Sequence, residues 1–268
     1  MPEVTVQVGH LEQHLTARRA AGSALLVPYV TGGIIPGWID CVKACAAAGA
    51  DAVEIGLPFS DPMLDGEIIQ AASQQALDRG TTPAGILHEL SGLDLGIPLI
   101  AMTYSNIVMR RGADDFCTRL ADSGVCGLIV PDTPIDEVDT LATTTTASDI
   151  ELILLVAPST STVRVRVIAE RSRGFVYCVS RMQTTGVRTD LAATAASVAG
   201  RVRQCTTRPV LLGFGISTPE QAVRACAHAD GVVVASVLMR GLMAGGGPAE
   251  LEAEVGVLRS AIDGTERP

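Results

Sequence analysis

The sequence predicts an α/β fold, a single (β/α)8 TIM barrel that follows an N-terminal helix. Along its 268 residues, eight short apolar runs alternate with longer Ala- and Leu-rich stretches of helical periodicity. The runs are often β-branched and are closed by Gly, Pro, Asp or Ser, which is typical of parallel strands buried on both faces. Eight strand–helix units in a chain of this length favour a closed barrel over an open doubly wound sheet.

The predicted elements begin with a helix at residues 11–21. Strands are expected at residues 24–30, 52–57, 98–102, 127–130, 152–157, 175–179, 209–213 and 231–235. Helical patterns between them include residues 39–48, 68–79, 113–123 and 219–227. The Thr-rich stretch 140–148 is most simply a helix end or a surface loop, and the polar tail 263–268 is expected to fray. Because no Pro/Ser-rich linker or composition break divides the chain, we predict one domain over residues 1–268.

Composition and charge exclude several classes of function. The net charge of −9 argues against a nucleic-acid partner, because neutralising phosphates requires a basic face. Residues 1–10 lack the basic and apolar regions of a signal peptide, and no apolar run reaches the roughly 18 residues of a membrane span. The seven cysteines are predicted to be reduced thiols of a cytoplasmic protein, and we predict neither a metal nor a cofactor. The single lysine, Lys43, is predicted on a helix away from the barrel mouth, which argues against Schiff-base chemistry.

Two carboxylates are the candidate catalytic groups, because residues at the C-terminal ends of barrel strands carry the chemistry. Glu54 lies inside an apolar strand, where a carboxylate is costly unless it is paired or functional. Desolvation would raise its pKa and suit it to general acid or base catalysis. Asp65 follows on a Pro-, Asp- and Gly-rich loop, and two carboxylates in different environments suit a division of acid and base roles. The structural alternatives are an ion pair between Glu54 and an arginine, and a turn role for Asp65.

All three tyrosines of the chain fall at or just past predicted strand ends. Tyr29, Tyr104 and Tyr177 are candidates for lining a pocket that takes a flat, partly apolar ligand. The alternative is that each is a half-buried cap whose hydroxyl lies in water.

The loops after the seventh and eighth strands are the candidate phosphate site. Residues 213–220 leave a strand and enter a helix, with Ser217 or Thr218 as the N-cap and Pro219 as the first helical residue. Glycines there let backbone N–H groups approach an anion. Ala235 and Ser236 at the end of the eighth strand would face the same point, and Gly186 would add another N–H. The alternative is a plain tight turn.

The sequence resembles a known family, the α subunit of tryptophan synthase, over nearly its whole length. The resemblance lies in VPYVT, GADAVEIGLPFSDP, Asp65-Gly66, MTY, GLIVPD, RGFVYCVS and GFGISTPEQ. It implies a (β/α)8 barrel that cleaves indole-3-glycerol phosphate to indole and glyceraldehyde 3-phosphate. It also implies that Glu54 protonates carbon 3 of indole and that Asp65 interacts with the indole N–H. Further implied residues are Tyr177, Thr185 and Phe214 in the pocket, and Gly186, Gly215 and Ser236 at the phosphate.

The chain departs from the family pattern at four places around the predicted mouth. Gly33-Ile34-Ile35 stands where the family has Gly-Asp-Pro, Glu67 replaces a proline, Gln183-Thr184-Thr185-Gly186 replaces Gly-Val-Thr-Gly, and Ala235 replaces a glycine. A methyl group on Ala235 can leave its N–H available if φ is below zero. Adjacent exposed isoleucines usually mark a contact surface, so we expect altered coupling to a partner. The alternative is that Ile34 and Ile35 pack under a mobile loop.

In the family, Pro58, Asp61 and the loop 104–109, from Tyr104 to Met109, lie on the face that contacts the β subunit, so the resemblance implies a possible β-subunit partner there. Two other functions stay open at this point. One is a diverged barrel enzyme that uses the same carboxylates on another phosphorylated or diphosphorylated substrate. The other is a non-catalytic subunit that activates a partner, although an intact buried Glu54 counts against it.

Overall fold

Eight parallel strands close into a barrel in chain order, with the last strand hydrogen-bonded to the first. The computed structural model describes residues 8–179, 191–213 and 215–264. The strands are β1 (Leu25–Thr31), β2 (Val53–Gly56), β3 (Leu99–Met102), β4 (Val125–Ile129), β5 (Glu151–Val156), β6 (Val176–Val179), β7 (Val210–Gly213) and β8 (Gly231–Val234). Because all neighbouring strands are parallel, the eight carboxyl ends meet at one rim, and the predicted (β/α)8 barrel is confirmed.

Helices surround this barrel and close one of its ends. In the described part of the chain they are α1 (His10–Ala20), α2 (Trp38–Ala47), α3 (Glu67–Asp78), α4 (Pro83–Leu90), α5 (Ser105–Met109), α6 (Ala113–Asp122), α7 (Val138–Ala147), α8 (Thr162–Arg171), α9 (Leu191–Arg203), α10 (Pro219–Cys226), α11 (Ser236–Met243) and α12 (Pro248–Asp263). Each predicted strand overlaps an observed one, and the helix predicted at 11–21 is α1. The apolar runs predicted the strands well because these strands are buried on both faces.

One local prediction was wrong, and a second is only partly covered by the described residues. The Thr-rich stretch 140–148 lies almost entirely inside α7 rather than at a helix end or in a loop. The hydroxyls of Thr143 and Thr146 donate to carbonyls one turn earlier, at 2.9 and 2.7 Å, so the helix satisfies these polar groups itself. The tail predicted to fray begins with Asp263, which ends α12 and accepts a hydrogen bond from Arg259. Residues 265–268 lie outside the described residues, and a single domain stays a prediction.

The N-terminal helix closes the lower end of the barrel, where the strands begin. Leu11 is fully buried there, and a Cβ on Gly127 or Gly174 would come within 2.9 or 2.7 Å of its side chain. The carboxylate of Glu151 accepts hydrogen bonds from the N–H groups of Leu11 and Glu12 at 2.6 and 3.1 Å. Glu151 therefore caps α1 from another element, since no side chain of the helix itself does so.

Buried ion pairs fix the outer helices to the same lower end. Asp51 lies between Arg18 and Arg259, at 2.6 and 3.0 Å, and also accepts a hydrogen bond from the N–H of Leu26. Asp230 similarly binds Arg203 at 2.8 Å. These contacts tie α1, α9 and α12 to the starts of strands. Their position at the N-terminal end of the barrel indicates a role in stability and leaves the opposite rim for chemistry.

Other features of the described residues bear on the sequence predictions. No helix among them is long and apolar enough to cross a membrane. Five of the seven cysteines are buried, and Cys126 and Cys205 are partly exposed. Within the same residues, no group of three or more His, Cys, Asp or Glu side chains is placed to hold a metal ion. Lys43 lies exposed on α2, paired with Asp40 at 2.9 Å, as expected for a lysine outside the barrel mouth.

Candidate active site

Glu54 is a buried carboxylate inside the barrel. It lies on β2 and is 1% exposed, and its Oε2 atom has no hydrogen-bond partner among the described residues. Burial, with a smaller contribution from the negative charge of Asp65, raises the pKa of Glu54 to about 8. The carboxyl group is therefore mostly protonated at neutral pH. The predicted alternative, an ion pair with an arginine, does not occur among the described residues.

Asp65 is the second carboxylate, on the loop between β2 and α3. Its side chain is buried rather than solvated as in a simple turn, at 7% exposure. Its carbonyl accepts a hydrogen bond from the side-chain amide of Gln70 at 2.8 Å, which holds the loop against α3. Burial raises the pKa of Asp65 to about 6, although a hydrogen bond donated by Tyr104 works in the opposite direction.

The two carboxyl groups therefore differ in charge at pH 7. A pKa of about 8 keeps Glu54 protonated, whereas a pKa of about 6 leaves Asp65 ionised. Such a pair can offer a proton donor and an anion close to each other. The division of acid and base roles between them stays a prediction.

The three tyrosines converge on this pair. Tyr29, Tyr104 and Tyr177 are all buried, so they are not caps with hydroxyls in bulk water. The negative charge of Asp65 contributes to raising the pKa of each of them, which places all three near the carboxylates. Their role in binding a ligand stays a prediction.

Two glycines make room for two of these rings. A Cβ on Gly56 of β2 would overlap the ring and hydroxyl of Tyr29, which lies on the adjacent strand β1. A Cβ on Gly213 of β7 would likewise overlap Tyr177 on β6. Each of these two tyrosines thus packs against a glycine on the adjacent strand. The third ring, Tyr104, packs against Phe59 with centroids 5.2 Å apart.

Side chains at the start of α10 hydrogen-bond the backbone N–H groups of that helix N-terminus. Thr218 is the N-cap and Pro219 the first helical residue, as predicted. The side-chain oxygen of Gln221 accepts hydrogen bonds from the N–H groups of Ser217 and Thr218, at 2.7 and 3.2 Å. Those two N–H groups are therefore engaged, whereas Gly215, whose φ is +91°, stays a candidate to offer its N–H.

The α11 N-terminus differs, because its N-cap residue makes no side-chain hydrogen bond to the helix. Ala235 is the N-cap, with φ −124°, and Ser236 is the first helical residue. The negative φ fulfils the condition under which alanine can replace glycine without backbone strain. The first N–H groups of an uncapped helix favour an anion, so α11 is the stronger half of the predicted phosphate site.

Several predicted residues cannot be placed. Gln183, Thr185, Gly186 and Phe214 lie outside the described residues, so their roles in the pocket and at the phosphate stay predictions.

The residues that depart from the family pattern have local explanations. Ile34 is fully buried and its carbonyl accepts a hydrogen bond from Gln75 at 2.9 Å, so the expectation of an exposed isoleucine pair was wrong. Only its neighbour Ile35 is partly exposed. Glu67 is exposed in the first turn of α3, where the helix dipole favours an acidic side chain.

The predicted partner face is only partly exposed. Asp61 is exposed but Pro58 is buried, so Pro58 does not form part of the surface of the isolated chain. The segment 104–109 is not a loop, because Ser105–Met109 forms α5. The N–H and hydroxyl of Ser105 donate to the carboxylate of Asp132 at 2.9 and 2.6 Å, which anchors this helix. Met63, at 79% exposure, is an apolar side chain on the loop after β2 that the sequence analysis did not identify.

Two threonines at the ends of strands were not among the candidate site residues. Thr31 lies 3.3 Å from the hydroxyl of Tyr29, and Thr103 has a buried hydroxyl without a partner in the described residues. Thr31 could have been predicted to lie beside Tyr29, because residues two positions apart on a strand share a face.

Comparison with known proteins places this site in a family. The profile of the family Tryptophan synthase alpha chain matches residues 15–260. The chain is 42% identical to a tryptophan synthase alpha chain from Gloeobacter violaceus over 247 residues, which cover 90% of this chain and 89% of the relative. It is 44% identical to one from Methanosarcina acetivorans over 225 residues, or 83% and 82% of the two chains.

Solved structures agree with these sequence matches. A structure of Mycobacterium tuberculosis tryptophan synthase matches with a TM-score of 0.88 and 33% identity, covering 96% of this chain and 99% of that one. The alpha subunit from Legionella pneumophila matches with a TM-score of 0.85 and 27% identity, over 96% and 99% of the two chains. The chain therefore belongs to the tryptophan synthase alpha chain family.

Proposed function

We propose that this chain is a carbon–carbon lyase that cleaves indole-3-glycerol phosphate to indole and glyceraldehyde 3-phosphate. The single observation that carries the proposal is the pairing of a protonated, buried Glu54 with an ionised Asp65 inside the barrel of a member of this family. The reaction requires a proton donor for the indole ring and an anion for the charge that forms on it.

The first step is protonation of indole carbon 3. Glu54 transfers its proton to that carbon, which gives a ring whose nitrogen carries a positive charge and its own hydrogen. Asp65, already ionised at neutral pH because its pKa is about 6, stabilises this charge through the N–H. A buried anion is effective here because the low dielectric of the cavity strengthens its interaction with the cation.

The second step breaks the bond between carbon 3 and the glycerol chain. The bonding electron pair returns to the ring, which leaves as indole. The adjacent hydroxyl loses its proton to the carboxylate of Glu54 and becomes the aldehyde of glyceraldehyde 3-phosphate. Glu54 thereby regains its proton, and the cycle closes on these two carboxylates.

The substrate phosphate is assigned to the uncapped N-terminus of α11 and to Gly215. Ala235 and Ser236 would present N–H groups from α11, and Gly186 would add one from outside the described residues. The departures at Glu67 and Ala235 do not favour a different substrate, because Glu67 lies in an exposed helical turn and Ala235 has a negative φ.

We also propose that a tryptophan synthase β subunit binds at the rim of the barrel. The face would include Asp61, the exposed Met63 and Met109 at the end of α5. Support comes from structural similarity to a tryptophan synthase and from apolar side chains at this rim. A cytoplasmic location stays a prediction.

Indole formation by the full chain, with and without a β subunit, tests the function. Glu54→Gln and Asp65→Asn should each lower the rate by about 100-fold or more, the scale of general acid–base groups. The matched control is Glu67→Gln, which removes an exposed carboxylate on the same loop–helix segment and should leave the rate within about twofold. Unchanged rates in Glu54→Gln and Asp65→Asn would contradict the proposal. A folded wild-type protein that yields no indole would favour the diverged or non-catalytic alternatives.

A further inference from the structure

Tyr29 and Thr31 form a buried pair of hydroxyl groups on β1. The two residues are two positions apart, so their side chains lie on the same face of the strand. Thr31 is fully buried and Tyr29 almost so, and the Thr31 hydroxyl donates to the Tyr29 oxygen over 3.3 Å. Burying two hydroxyls in an apolar barrel is costly unless their hydrogen-bonding capacity is used.

The pair faces the catalytic carboxylates. Tyr29 is in register with Glu54 on the adjacent strand, and Thr31 is in register with Gly56. The Tyr29 hydroxyl occupies the space that a Cβ on Gly56 would fill. Burial raises the pKa of the Tyr29 phenol, and the negative charges of Asp65 and Glu54 add to this, so the phenol keeps its proton near neutral pH.

A count of protons shows what the pair can offer. Thr31 uses its proton on the oxygen of Tyr29, while the proton of Tyr29 has no acceptor among the described residues. Accepting a hydrogen bond from Thr31 polarises the phenol and makes it a better donor. The hydroxyl of Tyr104, in contrast, already interacts with the N–H of Leu64 and the carboxylate of Asp65. Tyr29 therefore keeps a proton that it can donate, in register with Glu54 inside the barrel.

We propose that Tyr29 is a further catalytic residue, whose hydroxyl donates a hydrogen bond to the substrate oxygen that becomes the aldehyde. This inference rests on the proposed function. When the carbon–carbon bond breaks, that hydroxyl gives its proton to the Glu54 carboxylate, and its oxygen carries partial negative charge before the carbonyl is complete. Tyr29 stabilises this charge without giving up its own proton. Thr31 is a positioning residue that acts through Tyr29.

The test is turnover of indole-3-glycerol phosphate by Tyr29→Phe, measured on the full chain saturated with a β subunit. We expect kcat to fall about 10- to 100-fold, since a single donor to a developing oxyanion contributes on that scale, and KM to change less than about threefold. Thr31→Val should give a smaller fall. The double variant should lose no more than Tyr29→Phe alone, because both hydroxyls act through one donor.

A binding measurement separates catalysis from pocket shape. Indole-3-propyl phosphate keeps the ring and the phosphate but lacks the hydroxyl groups of the substrate. Tyr29→Phe should bind this analogue within about twofold of wild type, because the missing hydrogen bond has no acceptor on it. Thr143→Val, which removes a threonine hydroxyl from the exposed surface of α7, is the matched control for Thr31→Val and should leave turnover unchanged.

The outcomes distinguish this inference from the proposed function. A wild type that forms indole, with a Tyr29→Phe variant equally fast, overturns the inference alone. Loss of analogue affinity that equals the loss of kcat also overturns it, because the hydroxyl would then only shape the pocket. A folded wild type that forms no indole overturns the proposed function together with the inference.

Discussion

The hydroxyl of Tyr104 accepts a hydrogen bond of 3.0 Å from the backbone N–H of Leu64, the residue before Asp65. The same hydroxyl also interacts with the carboxylate of Asp65 and works to lower its pKa. One phenol just past the end of β3 thus contacts both the backbone of the loop after β2 and the side chain of Asp65. Because α5 begins at the next residue, movement of that helix would be felt directly at Asp65.

Replacing Tyr104 by phenylalanine should therefore change the pH dependence of the reaction. The lost hydrogen bond had held the pKa of Asp65 down, so the pKa rises and the acid limb of kcat/KM moves to higher pH. At pH 7 we expect kcat/KM to fall about two- to tenfold, because losing a hydrogen bond of about 1.5–3 kcal/mol raises the pKa by about one to two units and leaves less Asp65 ionised. The alkaline limb serves as the internal control and should stay in place; an unshifted acid limb would contradict this account.

The wild type should show a bell-shaped pH profile. Activity requires Asp65 ionised and Glu54 protonated, so kcat/KM falls below the lower pKa of about 6 and above the upper pKa of about 8. These limbs belong to the coupled pair rather than to either residue alone. A profile measured by indole release that stays flat from pH 5 to pH 9 would be incompatible with the assigned roles.

The raised pKa of Glu54 should lower the free energy of unfolding at neutral and alkaline pH. Its pKa in the folded chain is raised to about 8, so above its unfolded pKa the folded state holds a proton that the unfolded state has lost. Folding is then penalised increasingly as pH rises from the unfolded to the folded pKa. Glu54→Gln should stabilise the protein at pH 8 by on the order of 3 kcal/mol, with little gain at pH 4. Urea unfolding at the two pH values measures this, and a larger gain at pH 4 would show that the sign is wrong.

The lower end of the barrel should matter for stability and not for turnover. Asp51→Asn leaves Arg259 short of a buried partner and should lower the free energy of unfolding by about 3 kcal/mol. The matched control is Asp136→Asn, which breaks an exposed ion pair with Arg164 and should cost less than about 1 kcal/mol. Both variants should keep wild-type kcat below their unfolding temperatures. A large loss of kcat in Asp51→Asn would contradict this prediction, because it would assign a functional role to the end of the barrel where the strands begin.

The glycine under Tyr29 gives a further prediction. Gly56→Ala should force the Tyr29 ring to move, because the new methyl group would overlap it, and should lower kcat/KM by about 10- to 100-fold. Gly256→Ala provides the control, since its Cβ would meet nothing within 4 Å in α12 and should stabilise the helix by up to about 1 kcal/mol. Equal activity in the two variants would show that Tyr29 can shift without consequence.

Much of the fold and the centre of the site could be predicted from the sequence. The strands are continuous apolar runs, and a charged residue inside such a run, Glu54, is conspicuous for that reason. The N-cap of α10 could also be predicted from the sequence, because Thr218 and Gln221 have the spacing of a capping box.

What could not be predicted depends on tertiary contacts. Ile34 looks exposed in a Gly- and Pro-rich loop, yet Gln75 of α3 fixes its backbone and the core buries its side chain. Asp51 and Arg259 are separated by 208 residues, so no local pattern relates them. The Thr-rich stretch was misjudged because threonine has low helix propensity, which hydrogen bonds within α7 offset.

The charge difference between Glu54 and Asp65 is the central claim, and infrared difference spectroscopy tests it most directly. The spectrum of wild type minus Glu54→Gln isolates the carboxyl absorption of Glu54 across a pH titration. We predict a protonated carboxyl band at pH 7 that disappears with a midpoint near pH 8, in line with a pKa of about 8. A carboxylate band already fully developed at pH 6 would contradict the account, because Glu54 would then have no proton to give.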